Sequence, residues 1–180
     1  MTPPRAGGWV LRRATDADGD RLHALLTVPE VYRYLADGVP PPREVVDGRI
    51  TRSRADFAAA GIGLWLLEDA AGELGGCVRL EVTGPASAEL TYALHPMNWG
   101  WGLATRMSWT VMRPALEGGR VEEIVAGADV PNAASIAVMQ RLGMTYARSV
   151  QYPLGAGVEY RFRRGDAAPI PAPELVPLAD

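Results

Sequence analysis

Gly100 and Gly102 stand one residue apart, at the point where the chain changes character. Ahead of them, Glu89 to Leu94 (ELTYAL) sets Leu90, Tyr92 and Leu94 at every second position, the period of a half-buried strand. Behind them, Leu103 to Leu116 follows a helical pattern. Glycine lets a backbone turn sharply and leaves its amides uncovered by side chains. At the positive end of a helix such amides hold an anion, with a phosphate or pyrophosphate the best fit. A plain strand-to-helix connection is the other reading of the same spacing. A second polar pair, Asn132 and Ser135, lies at the start of a later helix pattern in DVPNAASIAVMQRLGM, where both residue types also serve as helix caps.

Other chemistries find less support. Cys77 is the single cysteine, so no internal disulfide forms, and its apolar surroundings mark it as a small core residue rather than a nucleophile. Cysteine usage favours a cytoplasmic setting. His23 and His95 are too few for a metal cage without an evident partner set, and no metal is expected. Every basic residue is arginine, which fits a coding bias and excludes a lysine amine from catalysis. The net charge of -3 argues against a nucleic-acid footprint. No apolar run approaches the roughly 18 residues of a membrane span, and the start MTPPRAGGW lacks a signal-peptide core.

The 180 residues, 48% of them apolar, suit one domain with a substantial core. Residues 1–8 are expected to be flexible, and Trp9 to Arg13 reads as a first strand. Thr15 precedes Asp18 by three residues, a capping-box-like start for a helix carrying Leu22, Leu25 and Leu26. A short helix with Val31, Tyr34 and Leu35 follows Pro29, then a rigid GVPPP connector and a helix pattern over Arg43 to Ala60. Arg43, Arg49, Arg52 and Arg54 on this helix either line a site for an acidic substrate or form a solvated face. Ile62 to Glu68, Leu74 to Val82 and Ala88 to Leu94 predict an antiparallel meander. After the central helix, with Pro114 and Gly118-Gly119 near its end, come a strand over Val121 to Ala128 and a helix over Asn132 to Leu142. A hairpin of Met144 to Tyr152 and Val158 to Arg163 completes the domain at 9–164. The proline-rich tail, 165–180, is expected to be extended or disordered.

His95-Pro96-Met97-Asn98-Trp99-Gly100-Trp101-Gly102-Leu103-Ala104, and Asn132, Ser135 and Leu142-Gly143-Met144 some thirty residues on, resemble the patterns HPxxWGxGxA and NxxSxxxxxxLGF. These belong to the GNAT acetyltransferase superfamily, in its RimJ/RimL branch of ribosomal-protein N-terminal acetyltransferases. The resemblance runs from about Trp9 to Phe162. It implies a mixed α/β fold: a twisted mixed sheet with flanking helices, whose fourth and fifth strands splay apart to admit acetyl-CoA.

On this resemblance Trp99, Gly100, Trp101, Gly102 and Leu103 present the amides for the pyrophosphate, and Leu94 offers main-chain groups to the pantetheine arm. Asn132 contacts that arm, and Ser135 lies near the thioester sulfur. Glu89, on the strand face opposite Leu90, Tyr92 and Leu94, matches the carboxylate that often serves as base, where an adjacent cationic amine favours the ionised form. An exposed strand glutamate paired with an arginine is the alternative. The implied activity is N-acetyl transfer from acetyl-CoA to a primary amine, a protein N-terminus or a small molecule, by direct attack in a ternary complex. A homodimer is compatible with the resemblance. The rival reading is a non-catalytic CoA-binding module. Three departures bear on it: Met97 replaces a polar residue, Arg106 stands where many members have glutamate, and Met139 replaces a tyrosine that protonates the thiolate. Tyr92 and Tyr146 remain as other phenols. Trp65, Trp99, Trp101 and Trp109 are open to two uses, pocket wall or core packing.

Overall fold

The structure, a computed structural model, describes residues 8–35, 37–169 and 176–178. The expected flexibility of residues 1–7, and the expected character of the tail at 170–175 and 179–180, lie outside the described residues.

Among the described residues, seven strands form one mixed sheet. They are β1 (Val10–Arg13), β2 (Leu64–Glu68), β3 (Leu74–Gly84), β4 (Ser87–Leu94), β5 (Glu123–Asp129), β6 (Thr145–Tyr152) and β7 (Gly155–Arg163). Five α-helices of the described residues flank them: α1 (Gly19–Leu26), α2 (Pro29–Leu35), α3 (Arg43–Ala60), α4 (Leu103–Glu117) and α5 (Ala133–Arg141). The order across the sheet is β1-β2-β3-β4-β5-β7-β6. The expected meander is present, since β2, β3 and β4 pair antiparallel in sequence. Among these seven strands, β4 and β5 are the one pair that runs parallel.

Strand alternation divides the core into two layers. On one face Leu64 and Leu66 of β2, Cys77 of β3 and Ala93 of β4 pack with Leu22 and Leu25 of α1 and Val46 and Ile50 of α3. On the other, Val78 and Leu80, Leu90 and Leu94, and Ile124 and Ala126 pack with Met107 and Met112 of α4 and Met139 and Leu142 of α5. Each fully buried Leu or Met is worth about 1.5–3 kcal/mol over its exposed state. Together they hold the helices on opposite sides of the sheet.

One buried ionic cluster joins the first strand to the first helix. The guanidinium of Arg12 is bidentate to Asp18, at 2.8 and 2.6 Å, and to Glu68, at 2.9 and 2.7 Å. Arg21 also donates to Glu68 at 2.8 Å. The hydrogen bonds from Arg12 hold the Asp18 carboxyl well below the usual carboxylate range. Thr15 donates both its N–H and its hydroxyl to Asp18 at 2.8 Å, so the capping signal in the sequence marks a 3-10 turn, Asp16–Asp18, that leads into α1.

The described part of the tail returns to the sheet. Val176 is buried, its N–H donates to Thr110 Oγ1 of α4 at 2.9 Å, and the Leu11 N–H donates to the Pro177 carbonyl at 2.8 Å.

Candidate active site

The glycine turn is fastened from below. After β4 the chain makes a 3-10 turn, Pro96–Asn98, which the His95 N–H pins by donating to the Gly75 carbonyl at 3.0 Å. Buried Asn98 donates Nδ2 to the same carbonyl at 3.1 Å. The indole N–H of Trp99 donates to the Leu94 carbonyl at 2.9 Å. A carbonyl oxygen has a second lone pair, so this bond leaves Leu94 able to accept another.

Gly100 and Gly102 have φ of 81° and 71°, the left-handed region that glycine enters without steric cost. A Cβ at either would meet no protein atom within 4 Å, so packing against their own chain does not require them to be glycine. The first bond of α4 runs from the Arg106 N–H to the Gly102 carbonyl at 3.0 Å. Among the described residues, the N–H groups of Gly100 through Thr105 make no hydrogen bond. A row of free amides at the positive end of a helix is an anion cradle. Around it Met97, Trp99 and Trp101 are 73%, 50% and 40% exposed. Trp65 and Trp109, by contrast, pack edge-on against Phe57 and Phe162.

The parallel pairing of β4 with β5 covers only Ser87 with Glu123, Ala88 with Ile124 and Glu89 with Val125. Beyond it β4 runs on to Leu94 and β5 to Asp129 without pairing, so the two strands splay and Glu89 sits at the fork. Its face is that of Ala93, toward α1 and α3. Arg79 pairs with Glu81 at 2.5 Å instead, and Glu89 makes no ion pair with a described residue. Burial raises the Glu89 carboxyl above its ordinary value, Arg79 pulls it down, and Glu81 and Glu159 push it up again. The side chain is nonetheless open to solvent, so this is a carboxylate flanked by protein in an open cleft. A cationic amine beside it opposes that upward shift.

On the opposite face, Tyr92 and Ser135 meet across the fork. The Tyr92 hydroxyl lies 2.7 Å from Ser135 Oγ and 3.1 Å from the Ser135 carbonyl oxygen. Burial pushes the phenol up to about 12, against a smaller opposing effect of the Ser135 bond. Asn132 is the N-cap of α5, its Oδ1 accepting the Ser135 N–H at 3.2 Å.

A family model described as an acetyltransferase (GNAT) domain matches residues 9–145. The chain belongs to the GNAT acetyltransferase family. The domain is 34% identical over 160 residues to a mycothiol acetyltransferase of Thermobispora bispora, covering 89% of this chain and 46% of that one. It therefore spans about half the length of this curated relative. Its fold matches the solved structure of RimL, a ribosomal L7/L12 alpha-N-protein acetyltransferase in complex with coenzyme A, at a TM-score of 0.75 and 18% identity. That match covers 91% of this chain and 98% of RimL. It matches a spermidine N-acetyltransferase of Vibrio cholerae, in complex with CoA and spermine, at 0.73 and 16% identity, covering 88% and 96%. The mixed sheet and its splayed central strands are as the resemblance implied.

Other residues of this GNAT domain fall outside the fork. Arg43 pairs with Asp47 and Asp20, Arg52 with Asp56, and Arg54 with Asp16, which makes that helix face a self-paired one. Arg49 makes no ion pair with a described residue, and burial, with Arg79 beside it, lowers its pKa. Cys77 is buried, and burial pushes its thiol up to about 11, so it is no nucleophile. Met139 is wholly buried in the core. Nothing in the sequence singles out Asn98 as the anchor of the glycine turn. Tyr92 is visible there only as one member of a strand stripe. Among the described residues no group of three metal-ligating side chains forms, and no helix is long and apolar enough to cross a membrane.

Proposed function

We propose that this GNAT domain is an acetyl-CoA-dependent N-acetyltransferase of the RimJ/RimL type, acting on a primary amine: a protein N-terminal α-amino group or a small-molecule amine. The observation that carries the reading is the fork itself. Strand pairing stops at Glu89, with free amides at the glycine turn near one end and hydroxyls on the far face.

Bound acetyl-CoA supplies an activated acetyl group. The amides of Gly100 through Leu103 fit its diphosphate, because they are unpartnered and no side chain covers Gly100 or Gly102; the Trp99 N–H, expected among them, is instead spent on the Pro96 carbonyl at 3.1 Å. The main chain of Leu94 and the side-chain amide of Asn132 flank the pantetheine arm. Asn132 Oδ1 is spent on the helix cap, so its Nδ2 is the group left for that arm.

Glu89 takes a proton from the acceptor ammonium, directly or through a water, and the freed amine attacks the thioester carbonyl. Its raised pKa suits this task, since a stronger base accepts the proton more readily. Ser135, backed by the Tyr92 hydroxyl, donates a hydrogen bond to the departing thiolate from the other face. Nucleophile and leaving group are thus served from opposite sides of the sheet, and no covalent enzyme intermediate is needed. The names of the relatives agree with an amine acceptor, and a lone buried thiol suits a cytoplasmic setting.

Release of free CoA across a panel of amines tests the reading, with Glu89→Gln as the paired variant. Turnover with at least one amine is expected, slowed about a hundredfold or more by the substitution. Binding of acetyl-CoA without CoA release from any amine would leave only a cofactor-binding module.

A further inference from the structure

The acetyl-transfer reading assigns Glu89 to one side of the fork and leaves the other side without a role. On that side Gly127 and Asp129 of β5 pair in register with Glu159 and Gly157 of β7, and Val125, two residues before Gly127, pairs with Glu89. Directly opposed residues share a face, and every second residue returns to it, so Glu89, Gly127, Asp129, Gly157 and Glu159 all lie on the acceptor face.

Tyr152, the last residue of β6, lies over both glycines. A Cβ on Gly127 would come within 2.0 Å of Tyr152 Oη, and one on Gly157 within 2.2 Å of its Cδ2. Neither glycine has a positive φ, so backbone conformation does not demand them. What demands them is the ring, which leaves no room for any side chain beneath it. Two glycines in the interiors of paired strands weaken a sheet unless something packs on them.

This seat puts the Tyr152 hydroxyl above Gly127, one strand repeat past the last β4–β5 pair, where the strands have just parted. Burial keeps the phenol protonated, and so do the charges of Glu159, Glu89 and Asp129 nearby. Asp129 is 6% exposed, and its Oδ1 has no hydrogen-bond partner among the described residues. A buried carboxylate oxygen without a donor is costly, and an ammonium group is the donor that satisfies it best.

We propose that Tyr152 contacts the acceptor: its hydroxyl, seated by Gly127 and Gly157, holds the acceptor nitrogen between Glu89 and Asp129. The proposal rests on the acetyl-transfer reading and adds a residue to it. Gly127 and Gly157 act only through the ring they carry.

The test is a cycle of Gly127→Ala, Tyr152→Phe and the double variant, read by the KM for the amine, the KM for acetyl-CoA and the Tm. Tyr152→Phe is expected to raise the amine KM about tenfold or more, the loss of a hydrogen bond to a charged group, and to leave the acetyl-CoA KM within about twofold. Gly127→Ala should do the same by displacing the hydroxyl, and should lower the Tm. In the double variant the nearest obstacle is gone, since the next ring atom stands 3.1 Å from the new Cβ. The Tm should then recover while the amine KM stays high. A ring that only packs would move the Tm and not the split between the two KM values. If Gly127→Ala does not fold, Tyr152→Phe alone decides. Wild-type turnover with an amine KM unchanged by Tyr152→Phe overturns this inference only. No CoA release by the wild type with any amine removes the acetyl-transfer reading and this inference together.

Discussion

Gly102→Ala separates what the glycine turn does for the fold from what it does for a ligand. Gly102 has φ of 71°, and a methyl there would touch no protein atom within 4 Å. The cost to the free protein is then the left-handed conformation alone, about 1–2 kcal/mol. For a chain of this size each kcal/mol lowers the Tm by about 2–4 °C, so the melt should drop by about 2–8 °C and stay cooperative. The effect on acetyl-CoA should be larger. The methyl projects into the space above the free amides, and losing one hydrogen bond to a charged oxygen costs about 1.5–3 kcal/mol, roughly ten- to a hundredfold in Kd. Gly61 provides the control. It caps α3 with φ of 70°, and a Cβ there also meets nothing within 4 Å, so Gly61→Ala carries the same backbone penalty far from the turn. Calorimetric titration with acetyl-CoA and a thermal melt on each variant give both numbers. If Gly102→Ala and Gly61→Ala lose similar Tm and both bind acetyl-CoA as the wild type does, the amides of the turn do not hold the cofactor.

Three further outcomes are expected. Arg12→Met takes both guanidinium bonds from the Asp18 carboxylate, whose side chain is only 4% exposed, leaves Glu68 with Arg21 alone, and should cost about 3–5 kcal/mol in urea unfolding at pH 7. Because Arg12 lowers the Asp18 pKa, the wild-type advantage is present above the ordinary carboxylate range and should shrink as the pH falls below about 4, which unfolding at stepped pH reads directly. The acidic limb of kcat/KM should fall above the ordinary glutamate value, since activity needs ionised Glu89 and is lost as pH drops through its raised pKa. Glu89→Gln should remove that limb. Ser135→Ala and Tyr92→Phe should each lower kcat with little change in the amine KM. Since the two hydroxyls share one 2.7 Å contact, the double variant should lose clearly less than the product of the single losses.

Much of this was legible in the chain because it is local. Period-two runs located the strands of the meander, the glycines located the start of α4, and the change between them pointed to an anion site before any fold was known. What was hidden depends on contacts between distant residues. Asn98 matters through a carbonyl 23 positions away, and Tyr92 through a serine 43 positions away. Tyr152 acquires its place only once β5, β7 and β6 are in register, although Gly127 and Gly157, each inside a strand pattern, are the trace such a ring leaves in sequence. The upward shift of the Glu89 carboxyl could not be read from its residue type, because it comes first from burial and then from the balance of Arg79 against Glu81 and Glu159 on neighbouring strands.

The described part of the tail bears on how one edge of the sheet meets its surroundings. β1 is an outer strand, and an outer strand's spare polar groups invite another sheet to dock. Here the carbonyl that takes up the Leu11 amide belongs to Pro177 of the same chain. One donor that a neighbouring molecule's strand could otherwise use is thereby answered within the molecule.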